Sequence, residues 1–201
     1  MKTKKIAVIG SGAVAQTLAE GFNKHGFQVM IGTRSPEKLE DWLSKNKGVS
    51  VASTAETAKF GDIVVLAVKG SVARLVVEEL QEYLNGKTVI DTTNPIAESA
   101  PENGVLKFFT DLNNSLMEDL QKAVPQANFV KAFNSIGSQY MVNPNFGTPP
   151  TMFICGNEIE SKKEVSEILQ IFGFDVEDFG EMESARAIRT SMHALVHSWY
   201  A

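Results

Sequence analysis

Apolar stretches of strand character alternate along the chain with longer stretches of helical spacing. Residues 4–9 read as a strand and 13–25 as a helix carrying Val14, Leu18 and Phe22 on one face. A second strand is expected over 28–33. Ser35-Pro36 then supplies an N-cap with Pro at N1, opening a helix that runs through Asn46. A short strand over 49–52 and a short helix over 54–59 follow. Residues 63–68 (Ile-Val-Val-Leu-Ala-Val) form an unbroken apolar run, as expected of a strand covered on both faces in a parallel sheet. The alternation continues with a helix over 71–84, a strand over 88–92, a helix over 111–124 and a strand over 129–133.

This βαβ alternation predicts an α/β fold with a doubly wound, Rossmann-type, mostly parallel sheet. Residues 134–150 read as a loop holding Gly137, Pro144, Gly147, Pro149 and Pro150. A strand over 152–155, a helix over 159–172, a strand over 175–179 and a final helix over 183–200 close the chain. In the 159–172 helix, Val165, Ile168, Leu169 and Phe172 keep helical spacing. The expected plan is one domain over 1–201, with a dinucleotide-binding core over 1–133 and a short C-terminal α/β extension packed on the same core. The 201 − 133 = 68 residues after the core are too few for a separate substrate domain. An open, shallow acceptor site suited to a planar partner is therefore expected. The long connection over 94–107 follows a strand, where such segments tend to line sites.

Charge and composition narrow the possible chemistry. A net charge of −5 argues against a nucleic-acid footprint, which needs a basic face. One cysteine, Cys155, leaves no disulfide framework and no cysteine-based zinc cage; it reads as a small buried hydrophobe. No apolar run approaches the roughly 20 residues that span a bilayer. The basic start and apolar 6–14 stretch imitate a signal peptide, but Gly10 and Gly12 interrupt it, so a cytoplasmic location is expected. His193 and His197 lie i, i+4 on the last helix without a third ligand, so no metal is expected. The apolar residues Ile188, Met192, Leu195, Val196 and Trp199 suit either a homodimer through that helix or packing onto the chain's own sheet.

The Gly10-Ser11-Gly12-Ala13-Val14-Ala15 segment is a G-x-G-x-x-A turn between a strand and a helix. Gly10 permits the tight turn, Gly12 lets a pyrophosphate approach the backbone, and Ala15 lets helix and strand pack closely. The phosphates would meet unpaired N–H groups at the positive end of the helix dipole. About 20 residues on, an NAD reader places a carboxylate for the ribose 2′-hydroxyl. Here Gly32-Thr33-Arg34-Ser35 stands there, with Lys38 one turn later. A guanidinium, two hydroxyls and an ammonium match a 2′-phosphate dianion, so NADP is expected rather than NAD.

In a doubly wound sheet the ligand lies beyond the carboxyl ends of the strands. Those ends carry Val68-Lys69-Gly70, Thr92-Thr93-Asn94-Pro95 and the segment from Phe133 to Ser138. Asn94 and Asn134 either approach the cofactor or satisfy loop backbone. Strand alternation turns Lys131 away from Val130 and Ala132, toward solvent or a neighbouring helix end. No nucleophile–base arrangement stands out, and no side chain is assigned a catalytic role. Hydride transfer between planar rings needs stacking and distance control more than an acid or base.

Together, the Gly10–Ala15 loop, Gly32-Thr33-Arg34-Ser35 with Lys38, Thr93-Asn94-Pro95 and Val130-Lys131-Ala132-Phe133-Asn134 resemble the NADP oxidoreductases that use the deazaflavin coenzyme F420. The same domain forms the cytosolic part of the six-transmembrane ferric reductases. The resemblance extends through Ile154-Cys155-Gly156-Asn157-Glu158, Ser161-Lys162-Lys163 and Ser184-Ala185-Arg186. It implies that Ser11, Gly12, Ala13 and Val14 hold the pyrophosphate and that Thr33, Arg34 and Lys38 hold the 2′-phosphate. It also places Val68, Asn94 and Ser138 along the nicotinamide half, with Gln139 where the second ring system stacks. Two departures stand out. Gln139 replaces the tryptophan of the ferric reductases, and Val68-Lys69-Gly70 replaces a Pro-Trp pair of the F420 enzymes. The expected function is hydride transfer between NADPH and a small-molecule acceptor such as F420 or a flavin. A binding module that senses NADP without turnover, and a short relative of pyrroline-carboxylate reductase, are the alternatives.

Overall fold

The computed structural model describes residues 4–103 and 105–189. Its eight strands are β1 (Lys5–Ile9), β2 (Gln28–Gly32), β3 (Val49–Ala52), β4 (Ile63–Leu66), β5 (Thr88–Asp91), β6 (Asn128–Lys131), β7 (Thr151–Gly156) and β8 (Asp175–Asp178). The helices are α1 (Ala13–Lys24), α2 (Glu40–Lys45), α3 (Thr54–Phe60), α4 (Gly70–Glu79), α5 (Gln81–Leu84), α6 (Leu116–Ala123), α7 (Ile159–Ile171) and α8 (Ala185–Ile188). All the strands join one sheet in the order β3-β2-β1-β4-β5-β6-β7-β8. Neighbours from β3 through β6 are parallel, β7 runs antiparallel to β6, and β8 runs parallel to β7. The order steps outward on both sides of β1, which is the doubly wound pattern, and its switch point lies between β1 and β4.

Period-two alternation along the central strands sends side chains into two separate cores. Ile6 and Val8 face one side with Leu18, Phe22, Ile168 and Phe172; Ala7 and Ile9 face the other with Val77, Leu84 and Leu120. Phe22 anchors the first core, with its ring centroid 4.8 Å from that of Phe172 and edge-on to Phe27 at 5.4 Å. All four residues of β4 are buried, as the apolar run over 63–68 led one to expect.

Several boundaries differ from the sequence reading for local reasons. The helix expected from Pro36 to Asn46 is a 3-10 turn (Pro36–Leu39) followed by the short α2, and the Ser35 side chain does not cap it. The helix expected over 71–84 breaks at Leu80 into α4 and α5. The helix expected from Asp111 starts at Leu116, where Ser115 and Glu118 form a reciprocal capping box. The strand expected to reach Phe133 ends at Lys131, and Phe133 adopts a left-handed φ of 63°. A buried Phe rarely sits in that region, and here it turns the chain sharply away from the sheet.

The connection before α6 is also more ordered than a plain loop. Ile96 bridges Phe108 and Glu102 bridges Val105, giving a small antiparallel ribbon. The expected final helix is described only as a 3-10 turn (Met182–Ser184) and α8. Met192, His193, Leu195, Val196, His197 and Trp199 lie outside the described residues. Among the described residues no helix is long and apolar enough to cross a membrane.

A charged clamp ties α8 to α6. Arg186 donates from Nε to Glu118 Oε2 at 2.9 Å and from Nη2 to Oε1, while Ser115 N donates to Oε2 at 2.8 Å. The Arg186 hydrogen bond is the main reason that the Glu118 carboxyl titrates far below its usual range, at about 2. The folded state thus favours the charged form. Its stabilisation is complete above the ordinary value of 4.5 and is lost as pH falls toward about 2. Arg186→Gln is expected to flatten the acid limb of a melting-temperature profile over that window. A limb as steep as that of the unmodified chain would mean the clamp carries no linkage.

Candidate active site

A cleft of about 450 Å³ opens at the carboxyl ends of β1, β4 and β5. Gly12, Ala13 and Val14 form one wall, the β4–α4 turn from Ala67 to Ser71 a second, and Thr92–Asn94 with Ile96–Glu98 a third. This is the crevice that a doubly wound sheet leaves at its switch point.

The first wall is built by the glycine turn. Gly10 has φ +127°, and a Cβ there would lie 2.1 Å from the Ala67 carbonyl oxygen, so only glycine fits between β1 and β4. Gly10 N donates to Gly32 O at 2.9 Å and Ala67 N to Ile9 O at 2.9 Å, stitching the turn to both neighbouring strands. Gly12 differs. A Cβ there would meet nothing within 4 Å, so its missing side chain leaves space in the cleft rather than relieving a clash. Gly12 is also the N-cap of α1, with no side-chain cap and no acidic residue in the first turn. By contrast, α3 and α6 carry serine capping boxes with a glutamate at N3. The α1 N-terminus therefore presents unpaired N–H groups and a positive dipole end to open space. These features fit a pyrophosphate.

The β2 end adjoins this wall through a hydrogen bond from Thr33 Oγ1 to Ser11 Oγ at 3.1 Å, and Ser35 N donates to Thr33 Oγ1 at 3.1 Å. Arg34 and Lys38 are exposed beside it, and among the described residues neither pairs with a carboxylate. The structure thus brings Ser11, Thr33 and Ser35 into one hydrogen-bonded unit, with two free cations at its edge.

Under the third wall, the expectation for Lys131 is corrected. It is 3% exposed and does not face solvent. Asp91 and Lys131 are ladder partners of β5 and β6, and Lys131 Nζ donates to Asp91 Oδ2 at 2.9 Å. In a sheet covered on both faces, the side alternation assigns to a residue is interior, and the charge needs a buried partner. Asn94 lines the cleft and also donates from Nδ2 to the Asn134 carbonyl at 3.0 Å, so it serves loop backbone as well. Asn134 is buried beneath it, and its Oδ1 has no protein partner.

Of the residues singled out in the sequence, Gly12, Ala13, Val14, Val68, Lys69 and Asn94 line the cleft together. Asn134 and Ser138 do not. Ser138 lies on a 3-10 turn (Ser138–Tyr140), in a segment that returns over α1, where Val142 packs on Gly21. Sequence reasoning missed Ser71, Ile96, Ala97 and Glu98 as lining residues, and Asp91 beneath them. The length of the 94–107 connection hinted at Ile96, Ala97 and Glu98, and nothing in the sequence marked Ser71 or Asp91.

Cys155 is fully buried, and burial pushes its thiol up to about 12, so it offers no nucleophile. A second concavity of about 440 Å³ lies near the amino ends of the parallel strands. Its walls include Glu158, Glu160, Glu164 and Glu167, which would repel phosphates.

The family described as NADP oxidoreductase, coenzyme F420-dependent, matches residues 5–95. A crystal structure from Arthrobacter sp. FB24, provisionally named an F420-dependent NADP reductase, superposes with a TM-score of 0.92 at 30% identity. The match covers 98% of this chain and 94% of that one. The F420-dependent NADP reductase of Methanocaldococcus jannaschii is 26% identical over 96% of this chain and 91% of its own length. Metalloreductase STEAP3 of Rattus norvegicus is 28% identical over 97% of this chain, which spans only 38% of that protein.

Proposed function

Because the chain belongs to the family of coenzyme F420-dependent NADP oxidoreductases, we propose that its cleft binds NADPH for hydride transfer to a planar acceptor, F420 or a flavin. The observation that carries this reading is the uncapped α1 N-terminus, with Gly12 leaving open space in front of it. In this reading Gly10 holds the turn, while Ser11, Gly12, Ala13 and Val14 bind the pyrophosphate through backbone N–H groups and the helix dipole. Thr33, Arg34, Ser35 and Lys38 bind the 2′-phosphate. Val68, Lys69 and Asn94 line the nicotinamide half, with Asn134 supporting Asn94 from beneath and Ser138 approaching from the neighbouring 3-10 turn.

NADPH supplies the hydride, and the chain's task is to hold two rings at reacting distance and keep them aligned. Ala67, Val68 and Ile96 give the cleft an apolar lining, which suits a stacked ring. Lys69 and Glu98 stand at its mouth, where polar substituents of the acceptor would reach.

NADPH oxidation with F420, flavin mononucleotide, riboflavin and ferric chelates tests the proposal. Turnover well above background with one of them is the expected result. Tight NADP binding without any turnover would favour a redox sensor, in which the segment over 134–150 that packs on α1 reports occupancy to a partner. Ser138→Trp is expected to slow hydride transfer about tenfold while leaving NADP affinity within about twofold, because the adenosine end lies elsewhere. Unchanged turnover would remove Ser138 from the site. A cytoplasmic location and a homodimer through the final helix complete the reading; sedimentation of the full chain as a monomer would refute the dimer.

A further inference from the structure

The buried ion pair beneath the third wall has a specific set of partners. Asp91 is 0% and Lys131 3% exposed, and they stand opposite each other at the carboxyl ends of β5 and β6. Beyond each other, both bond to Thr93. Asp91 Oδ1 accepts from Thr93 N at 2.9 Å and from Thr93 Oγ1 at 2.6 Å, and Lys131 Nζ donates to the Thr93 carbonyl. The amide, the hydroxyl and the carbonyl of one residue are all held by the pair.

The constraint passes directly to Asn94. Its carbonyl oxygen sits where a Cβ on Gly70 would come within 2.0 Å, so α4 presses on it from one side. Its side-chain amide is tied to Asn134 O on the other. Thr92 is fixed as well, with Oγ1 donating to Leu66 O at 2.9 Å. A segment that ends a strand and lines a cleft would ordinarily move; this one is held at three successive residues.

Stability alone does not explain two charges at this depth. A buried ion pair contributes little compared with two apolar residues of similar volume. The neighbours in β5 and β6, Val89, Ile90, Phe129 and Val130, are fully buried apolar groups that such residues would join smoothly. What apolar residues could not supply is partners for the Thr93 N–H, O–H and C=O.

We propose that Asp91 and Lys131 are positioning residues for hydride transfer, fixing Thr93 and Asn94 as a rigid wall against the nicotinamide end of the cleft. They set kcat, while affinity for NADPH resides at α1 and the β2 end. This inference rests on the NADPH-dependent reading above. Misplacing reacting groups by about 1 Å costs up to about a hundredfold in rate, so loosening this wall should be visible in turnover.

Two double variants of the full-length chain test it, both removing the charges together so that no lone charge stays buried. Asp91→Leu/Lys131→Met strips Thr93 of every partner. Asp91→Asn/Lys131→Met keeps an acceptor for the Thr93 N–H and hydroxyl. Steady-state NADPH oxidation, NADPH binding by fluorescence titration and thermal melting are read on each. The expected result is a fall in kcat of about tenfold or more for the Leu/Met chain with its KM for NADPH within about twofold. The Asn/Met chain should fall by less, as a conservative rescue. Wild-type kcat in the Leu/Met chain would overturn the inference. So would kcat and NADPH affinity declining together in step with the melting temperature, which marks a structural strut. If the Leu/Met chain does not fold, the Asn/Met chain decides, and a wild-type kcat there is the overturning result. Variants matching a wild type that turns over defeat this inference alone. A wild type without turnover defeats the functional reading and the inference with it.

Discussion

Replacing Arg34 and Lys38 together by alanine is expected to lower kcat/KM for NADPH by about a hundredfold, and that for NADH by less than about threefold. The asymmetry follows from where the two cations stand. Both are exposed at the end of β2, beside the Thr33–Ser11 hydrogen bond and away from the cleft that would receive the nicotinamide. NADH lacks the 2′-phosphate, so it has nothing to lose there. The effect should sit in KM rather than kcat, because the 2′-phosphate does not change during the reaction. It should also shrink with added salt, since exposed charges are screened over about 10 Å at moderate ionic strength. Losses of equal size for the two cofactors would remove Arg34 and Lys38 from the 2′-phosphate site.

Lys131→Met alone is expected to destabilise the fold by about 3–5 kcal/mol, because it leaves the Asp91 carboxylate buried without its counter-charge. For a chain of this size that corresponds to a melting temperature roughly 10 °C lower. Asp91→Asn/Lys131→Met, with no charge left behind and an acceptor kept for the Thr93 N–H and hydroxyl, should lie closer to wild type despite changing two residues. This non-additivity is the signature of a buried pair, and a double-mutant cycle by urea unfolding measures it directly. A single variant as stable as the double would show that the carboxylate is not confined at the depth described.

The parts of the fold that were legible in the sequence are those decided by local pattern. The apolar run over 63–68 identified a strand buried on both faces, and the G-x-G-x-x-A turn placed α1 and the open end of the sheet. The missing carboxylate after β2 was readable as an absence at one defined position. Lys131 was not legible in this way. Its role depends on β6 lying next to β5 in a register that sets it opposite Asp91, and nothing within either strand states that adjacency. The small ribbon of Ile96 with Phe108 likewise arises from pairing across a turn with no alternating pattern of its own. Helix starts were partly recoverable. Ser115-x-x-Glu118 is a capping box in plain sequence and marks the start of α6 at Leu116, inside the expected helix over 111–124 and past its polar opening.

Gly12 carries a consequence for anyone who would engineer this chain. Its backbone is extended, and a side chain there meets no protein atom within 4 Å, so the fold itself does not require glycine. An alanine would restrict the unfolded ensemble by about 0.4–1 kcal/mol, a gain offset by its poorer fit at an N-cap, so the fold would change little in stability while the space in front of the α1 amides fills. A library selected for heat tolerance alone would therefore not protect this glycine, and would pass robust chains that no longer hold a nucleotide. Selection would need to include NADP in the assay to keep the two properties together.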